Sequence, residues 1–285
     1  MIIVRLKGGL GNQLFQYAAG RRLAQHHKTI LKIDISIFES YKVHEYSLGV
    51  FNIQENIASA DEIGSLTARD KGIKNLILRI FGKPRARINE NHFHFDRRIL
   101  SLPDNVYLDG YWQSEKYFSG IFDIIKSEFT VKAPQVGRNK EISGMISSAE
   151  SVSLHIRRGT YLKPPYNYTH GICPPEYYYS GIKYLESKIK HPHFFVFSDD
   201  PQWARDNLKL SYPVSYVDNN SAGKGYEDLR LMSQCKYHII ANSTFSWWGA
   251  WLSNYPGKII IAPKRWFNVS RHNAADVYPA RWVKL

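Results

Sequence analysis

The stretch that decides the fold is SVSLHIRRGTYLKPP, Ser151 to Pro165. A run of strand-forming residues leads directly into a histidine, two adjacent arginines and a glycine. In open α/β sheets a ligand binds in the crevice at the carboxyl ends of the strands, and paired guanidinium groups match the oxygens of a phosphate. The stretch therefore predicts a strand of a parallel sheet that ends at an anion-binding site.

The remainder of the second half repeats this arrangement. Five apolar segments have the length and composition of strands: VSLHI, HFFVFS, VSYVD, YHIIA and KIIIA. Helical segments such as PPEYYYSGIKYLESKI separate several of them, which predicts a parallel sheet of βα units. The strands are followed in order by the polar clusters RRGT, DD, NN, NST and PKRW. We expect all five clusters along one edge of the sheet.

The first half predicts a second α/β unit. IIVRL is a strand, GGLGNQ is a loop and LFQYAAGRRLAQHH has helical periodicity. ILKIDIS and NVYLDGY are further strands, and EKYFSGIFDIIKSEF is a helix that ends before a stretch from Pro134 to Gly137. We place the domain boundary within residues 132–150, which gives an N-terminal domain at 1–135 and a C-terminal domain at 150–285.

The composition is that of a globular protein with an anionic partner. Of 285 residues, 44% are hydrophobic and 22% charged, and 38 basic residues against 25 acidic ones give a net charge of +13. Nucleotides, nucleic acid and an anionic membrane surface are the candidate partners. Only two cysteines, Cys173 and Cys235, occur, and neither a signal peptide nor an 18-residue apolar run is visible. The expected location is the cytoplasm.

A basic stretch runs from Arg69 to Arg98 with the apolar segment NLILRIF inside it. It has two interpretations, an amphipathic helix at a membrane interface or a solvated charged face. We favour the solvated face and keep a peripheral contact with the inner membrane as an expectation.

The N-terminal glycine loop, GGLGNQLFQYA from Gly8 to Ala18, follows a strand and opens a helix. Its backbone N–H groups suit a phosphate, and Gly9 and Gly11 would allow close approach of the backbone. The third glycine of a dinucleotide fingerprint is missing and no P-loop lysine follows. A tight strand–helix turn without a ligand remains the alternative.

The tryptophan-rich segment ANSTFSWWGAWL, Ala241 to Leu252, runs from a strand into a helix. Ser243 or Thr244 suits the N-cap of that helix, whose N–H groups would then face a diphosphate. The three tryptophans are interpreted as core packing rather than as a surface for sugar stacking.

Several charged residues have both a structural and a functional interpretation. Asp228 suits either the N-terminal charge of a helix or the recognition of a base edge. Asp199 and Asp200 suit an N-cap ahead of Pro201. They also suit a metal, but no companion cluster supports one, so no metal site is predicted. His155 is either a core histidine or part of the site.

These motifs together carry a resemblance. GGLGNQLFQYA, GYWQSEKYF, HIRRG followed by Tyr161, HGICPPEYY, FSDD and IIANSTFSWWGAWL look like the bacterial α-1,2-fucosyltransferases of glycosyltransferase family 11. The resemblance covers nearly the whole chain. It implies a GT-B architecture, with two Rossmann-like domains facing a cleft and acceptor binding in the first. It also implies inverting transfer of fucose from GDP-β-L-fucose to the 2-hydroxyl of a galactose-terminated glycan, in surface glycan or O-antigen synthesis, without metal or cofactor.

The same resemblance assigns the donor site. Arg157 would take the β-phosphate, and Arg158 would support it or bind nearby acids. His155 and Asp228 would lie at the guanosine end. The residues expected at the diphosphate are Asn242, Ser243, Thr244 and Ser246 in the second domain and Gly9, Gly11 and Asn12 in the first.

The catalytic base has four candidates: His155, Glu176, His170 and Asp34. We place Arg157, His155 and Glu176 in the catalytic set. The family usually has aspartate after HxRRG, whereas Thr160 stands there in this chain. No role of that aspartate is carried over, and Asp199 and Asp200 are the expected carboxylate partners of Arg158.

Two other classes of protein remain to be compared. A GDP-sugar transferase with a different acceptor position would keep every donor motif. A non-enzymatic, basic protein that binds nucleotide or nucleic acid would explain the charge, but it would not explain polar clusters after five strands.

Overall fold

The computed structural model describes residues 1–40, 43–67, 86–269 and 272–285, and most of the basic stretch considered above lies outside them. The chain divides into two compact units. The first comprises Met1–Lys132 with Ala275–Val277, and the second comprises Ala133–Ala274 with Tyr278–Leu285. Within the stretch 132–150 the chain forms a helix, and that helix belongs to the second unit.

The first unit contains a four-stranded parallel sheet in the order β2-β1-β4-β3. Its strands are β1 Ile2–Arg5, β2 Leu31–Asp34, β3 Arg87–Asn89 and β4 Val106–Asp109, and its helices are α1 Leu10–His27, α2 Ile37–Ser40, α3 Ala60–Thr67 and α4 Phe122–Glu128. The three strands expected from the sequence are confirmed. The short strand β3 was not expected.

Two buried glutamines stabilise the turn from β1 into α1. Gln16 accepts a hydrogen bond from the backbone N–H of Lys7 at 2.9 Å and donates to its carbonyl at 3.2 Å. Gln13 donates to the carbonyls of Gly8 and Glu45. Gly8 has a φ of +77°, which favours glycine. Gly8, Gln13 and Gln16 of the N-terminal glycine loop therefore have a structural role in this turn.

The segment EKYFSGIFDIIKSEF does not form the single helix that its pattern predicted. Residues Glu115–Phe118 form a 3₁₀ turn, and α4 begins only at Phe122. Gly120 between them has a φ of +88°. A residue in this left-handed conformation interrupts a right-handed helix, so the prediction of one helix was wrong.

The second unit contains a six-stranded parallel sheet in the order β10-β9-β8-β5-β6-β7. Its strands are β5 Glu150–Ile156, β6 Pro192–Ser198, β7 Val214–Val217, β8 Tyr237–Ile239, β9 Ile260–Ala262 and β10 Val283–Lys284. Its helices are α5 Gly137–Ser147, α6 Tyr166–Thr169, α7 Pro175–Glu186, α8 Pro201–Asn207, α9 Gly225–Gln234 and α10 Thr244–Leu252. The five strands predicted for this half are confirmed, and β10 is an addition.

Both faces of this sheet are buried. Leu154 and Val196 point into one core cluster, and Phe195 and Phe197 point into another. Burial on both faces explains why the strands appear as continuous apolar runs in the sequence. The tryptophans of α10 are at most 2% exposed and pack on one another. Their interpretation as core residues is confirmed.

Candidate functional site

The central feature of the second unit is the carboxyl edge of its sheet. Because all six strands are parallel, the five polar clusters that follow them lie along this edge. The strand order places RRGT, after β5, between the cluster that follows β8 and the one that follows β6. The arginine pair therefore lies at the middle of the edge; the sequence predicted the edge, and the strand order gives the position along it.

Arg157 is held at this edge by three neighbours. Its Nη1 forms an ion pair with Asp199 Oδ2 at 3.0 Å, and its Nη2 donates to Thr160 Oγ1 at 3.1 Å. The guanidinium carbon lies 5.3 Å from the centre of the Tyr161 ring. The side chain is 28% exposed, so a fixed cation still reaches solvent.

Asp199 reaches Arg157 because of the strand register. Ile156 at the end of β5 pairs with Ser198 at the end of β6, so the next residue of each strand follows alongside. The other oxygen of Asp199 accepts the backbone N–H of Arg158 at 2.8 Å. A Cβ at Gly159 would lie 2.4 Å from Asp199 Oδ2. The glycine is therefore required for the carboxylate to occupy this position.

Arg158 is bound elsewhere. Its Nε donates to Asp200 Oδ2 at 3.3 Å, and its guanidinium lies 3.9 Å from the centre of the Trp203 ring. Asp200 also caps α8 by accepting the N–H of Trp203 at 3.2 Å. The expected pairing of Arg158 with a nearby carboxylate is confirmed, and so is the interpretation of Asp200 as an N-cap.

His155 lies below Arg157 on β5 and is 5% exposed. Its Nδ1 has no hydrogen-bond partner within the described part of the chain, and its ring centre is 5.6 Å from that of Phe245. Burial, and then the charge of Arg157, lower its pKa to about 3. The imidazole is therefore neutral at physiological pH. A core histidine is expected to have hydrogen bonds at both ring nitrogens, and His155 differs because its Nδ1 has none within the described residues.

Asp228 lies in the first turn of α9. Its Oδ1 accepts a hydrogen bond from Asn220 Nδ2 at 2.7 Å, and that amide belongs to the cluster after β7. Burial is the main cause that raises the pKa of Asp228; the hydrogen bond from Asn220 lowers this pKa, the charge of Glu227 raises it, and the net value is about 6. The carboxylate thus lies at the edge of the sheet, and the hydrogen bond from Asn220 offsets only part of the cost of burying its charge.

Asn242 organises the neighbouring loops. Its Nδ2 lies within hydrogen-bond distance of three carbonyl oxygens, those of His170 at 2.9 Å, Gly171 at 3.3 Å and Trp266 at 3.2 Å. The side-chain amide therefore holds these loops together by hydrogen bonds to their carbonyl groups. The sequence had predicted that Asn242 binds the diphosphate of the donor substrate.

Ser243 occupies the N-cap of α10, as expected, but its side chain makes no capping hydrogen bond. Ser246 is buried, and its Oγ lies 3.4 Å from the carbonyl of Ser243. Thr244 is the first residue of the helix. The three hydroxyl residues are thus gathered at one helix N-terminus on the carboxyl edge.

The glycine loop belongs to the first unit. Gly9 is the N-cap of α1, Gly11 is buried within the helix and Asn12 Oδ1 accepts from Gln113 Nε2 at 3.1 Å. The sequence singled out Gly9 and Gly11. The glycine whose backbone conformation the turn requires is Gly8, and only its φ reveals this.

The four candidate bases lie in different environments. Glu176 is exposed in the first turn of α7. His170 stacks on Tyr161 with ring centres 4.6 Å apart, and burial lowers its pKa to about 4. Asp34 is buried in the first unit and accepts from the Tyr107 hydroxyl at 2.6 Å. His155 is buried beneath Arg157.

The described residues contain neither a cluster of metal ligands nor a helix that could span a membrane. Across the described residues, no three histidine, cysteine, aspartate or glutamate side chains are grouped as metal ligands would be. In the same residues no helix has the length and apolar character needed to cross a bilayer.

The two α/β units, each with a parallel sheet, give the chain a fold of the GT-B class. The fold is similar to that of Arabidopsis thaliana FUT1, solved as a mutant in complex with GDP. That comparison has a TM-score of 0.53 and 12% sequence identity, and it covers 91% of this chain and 69% of the solved one. The fold class expected from the sequence is confirmed.

The chain belongs to glycosyl transferase family 11, whose sequence profile matches residues 1–285. It is 35% identical to an alpha-1,2-colitosyltransferase of Escherichia coli, over 100% of this chain and 99% of the relative. It is 31% identical to the O-antigen biosynthesis glycosyltransferase WbnK of Escherichia coli, over 98% and 99%. The mouse galactoside alpha-(1,2)-fucosyltransferase 1 is 25% identical, over 98% and 71%. The family expected from the motifs is confirmed.

We expect Gly159→Ala to lower kcat on the order of 10²-fold, because the new methyl group displaces Asp199 and with it the guanidinium of Arg157. The matched control is Gly144→Ala in α5, where a Cβ meets no atom within 4 Å. The control should keep wild-type activity and gain up to about 1 kcal/mol of stability. Normal turnover of a folded Gly159→Ala enzyme would contradict the positioning by Asp199.

Binding of GDP-β-L-fucose should weaken about tenfold per pH unit below about 6, because a base edge with N–H donors needs the Asp228 carboxylate. Both phosphates of this ligand are diesters and do not titrate there. His155 and His170, with pKa values of about 3 and 4, are already neutral. Calorimetric titrations from pH 5 to 7.5 should show this slope in wild type and a flat profile in Asp228→Asn. Equal slopes would remove Asp228 from the donor site.

Proposed function

We propose that this chain transfers L-fucose from GDP-β-L-fucose to the 2-hydroxyl of a galactoside, forming an α-1,2 linkage with inversion. The observation that carries the proposal is Arg157, a fixed and partly exposed cation at the middle of the carboxyl edge. Family membership supports group transfer. The names of three relatives support a 2-linked product and O-antigen synthesis as its setting.

The step that the protein must catalyse in this proposal is the departure of GDP from the fucosyl group. The bond between fucosyl C1 and the β-phosphate oxygen breaks, and its electron pair leaves with the phosphate. Preorganised donors aimed at developing charge are a major source of rate enhancement. Arg157 is in our proposal the donor to the β-phosphate. The N-terminus of α10 at Ser243, with Thr244 and Ser246, contributes further N–H and O–H groups.

The acceptor hydroxyl attacks C1 from the opposite face and gives its proton to a base. We assign this role to Glu176, the exposed carboxylate of the four candidates. Its neighbour Tyr177 donates to the carbonyl of Ile240 at 2.6 Å, directly after β8, so α7 begins at the carboxyl edge. His155 and Asp228 bind the guanosine end in this proposal, and the role of Gly9, Gly11 and Asn12 at the diphosphate stays a prediction from the sequence.

No metal or cofactor enters the proposed reaction, since arginine and helix N–H groups stabilise the leaving group. Acceptor binding by the first unit, action in the cytoplasm and a peripheral contact with the inner membrane stay predictions. For the last of these, most of the basic stretch in question lies outside the described residues.

A second candidate donor is GDP-colitose, because a relative 35% identical over the whole chain is a colitosyltransferase. Colitose is fucose without its 3-hydroxyl. A site that hydrogen-bonds this hydroxyl rejects the deoxy sugar by roughly 10⁴-fold, whereas an apolar pocket rejects the added hydroxyl by only about 10²-fold. The ratio of rates therefore identifies the sugar for which the site is built.

The experiment offers both donors to the purified enzyme with lactose and a panel of other β-galactosides, and determines the linkage of each product. We expect α-1,2-linked fucose, kcat/KM at least about 10³-fold higher for GDP-fucose, and full activity in EDTA. Preference for GDP-colitose would replace the sugar and keep the mechanism. Loss of activity in EDTA with recovery in Mn²⁺ would contradict the role given to Arg157.

Arg157→Ala should lower kcat on the order of 10²-fold or more, because the leaving group loses a charge-assisted partner. The matched control is Arg205→Ala, since Arg205 is likewise paired with an aspartate, Asp218, and lies 4.0 Å from the Tyr216 ring. The control should retain near wild-type turnover. Similar losses in both variants would indicate a general effect of arginine removal rather than a phosphate contact.

A further inference from the structure

The loop between β5 and α7, residues 157–174, presents an unusual surface. Three of its side chains are large, apolar or aromatic, and exposed: Leu162 at 47%, Tyr168 at 68% and Ile172 at 37%. We call these three residues the loop patch. Tyr168 is the most exposed of the three, so the loop offers an aromatic ring to a ligand.

The loop that carries this patch is fixed by hydrogen bonds to its backbone. Asn268, after β9, donates its N–H to the carbonyl of Thr169 at 2.8 Å and its side-chain amide to that of Asn167 at 3.2 Å. Asn242, after β8, holds the next two carbonyls, as described above. The backbone on both sides of Tyr168 is thus held in place, so little backbone entropy is lost when a ligand binds to this loop.

The patch adjoins the proposed transfer site. Arg157 lies against the ring of Tyr161, and that ring stacks on His170 with an interplanar angle of 8°. Tyr168 is two residues before His170, so their Cα atoms are at most about 7 Å apart. If the β-phosphate of GDP-fucose binds Arg157 as proposed, a galactoside whose hydroxyl lies at the fucosyl group is therefore within a short distance of this loop.

From these contacts we infer that the loop patch binds the acceptor glycan, with Tyr168 packed on the C–H face of a pyranose ring. The inference rests on the proposed function and places part of the acceptor site on the second unit. Tyrosine suits this role because its ring is apolar and its hydroxyl can face water.

The chemistry of the loop favours a glycan over an anionic membrane. Arg157 and Arg158 at the start of the loop are paired with Asp199 and Asp200, and Lys163 is the only other lysine or arginine in residues 157–174. A basic residue near an anionic surface contributes only about 1 kcal/mol, so one lysine with three apolar side chains is a weak anchor. Continuity with Arg157, by contrast, is what an acceptor site requires.

The test compares Tyr168→Ala and Tyr168→Phe with wild type, using lactose as acceptor and GDP-fucose as donor. Tyr168→Ala should raise the KM for lactose roughly tenfold, because the C–H face of the sugar then loses the apolar surface on which it is buried. Tyr168→Phe keeps the ring and should stay within about twofold. The KM for GDP-fucose should not change, since the donor site is intact. For the same reason, the slow hydrolysis of GDP-fucose in the absence of acceptor, measured as released GDP, should also stay the same.

The control is Val136→Ser, which alters a side chain that is 70% exposed and lies outside the loop. It should change neither KM. An unchanged KM for lactose in Tyr168→Ala overturns the inference, and so does a parallel rise in both KM values, which indicates collapse of the loop. Loss of binding to phosphatidylglycerol vesicles with a normal KM for lactose assigns the patch to a membrane instead. Failure of the proposed function is separate, because wild type would then transfer no fucose at all.

Discussion

The candidate site depends on the contacts of the Asp199 carboxylate with Arg157 and Arg158. One oxygen pairs with the guanidinium of Arg157 and the other accepts the backbone N–H of Arg158. Charge-assisted hydrogen bonds are shorter and about twice as strong as neutral ones. A single side chain from β6 therefore sets the direction of one arginine and the backbone of the next. Arg157 and Arg158 then separate, one towards solvent beside Tyr161 and the other onto Asp200 and Trp203.

Much of the fold could be predicted because parallel strands buried on both faces are long apolar runs. This signal identified β5 to β9, and the polar residues after them gave the edge at which they end. β3 and β10 contain no buried residue and lie in no apolar run, so this signal is missing there. The break before α4 was missed because the apolar spacing continues across Gly120, and only its φ of +88° shows that the backbone cannot.

The site could be predicted in outline and not in its contacts. The positions of Arg157 and Asp199 at strand ends follow from the sequence, but their pairing depends on β6 lying beside β5 in the register Ile156 to Ser198. Neither the order of strands nor their register is determined by local pattern. The same holds for Asn242, whose amide was assigned to a ligand and is instead committed to the carbonyls of two neighbouring loops.

This geometry also accounts for a threonine where the family usually has aspartate. Thr160 accepts a hydrogen bond from Arg157 Nη2 at 3.1 Å, so it helps to orient the guanidinium without adding charge. Asp199 already supplies one carboxylate to that guanidinium. A second carboxylate at position 160 would stand within a few ångströms of the first and of any phosphate, and like charges at such distances repel strongly. A neutral hydroxyl leaves more of the positive potential of Arg157 for an anionic leaving group. In this chain the orienting and charge-balancing roles are thus divided between Thr160 and Asp199, which follow the adjacent strands β5 and β6.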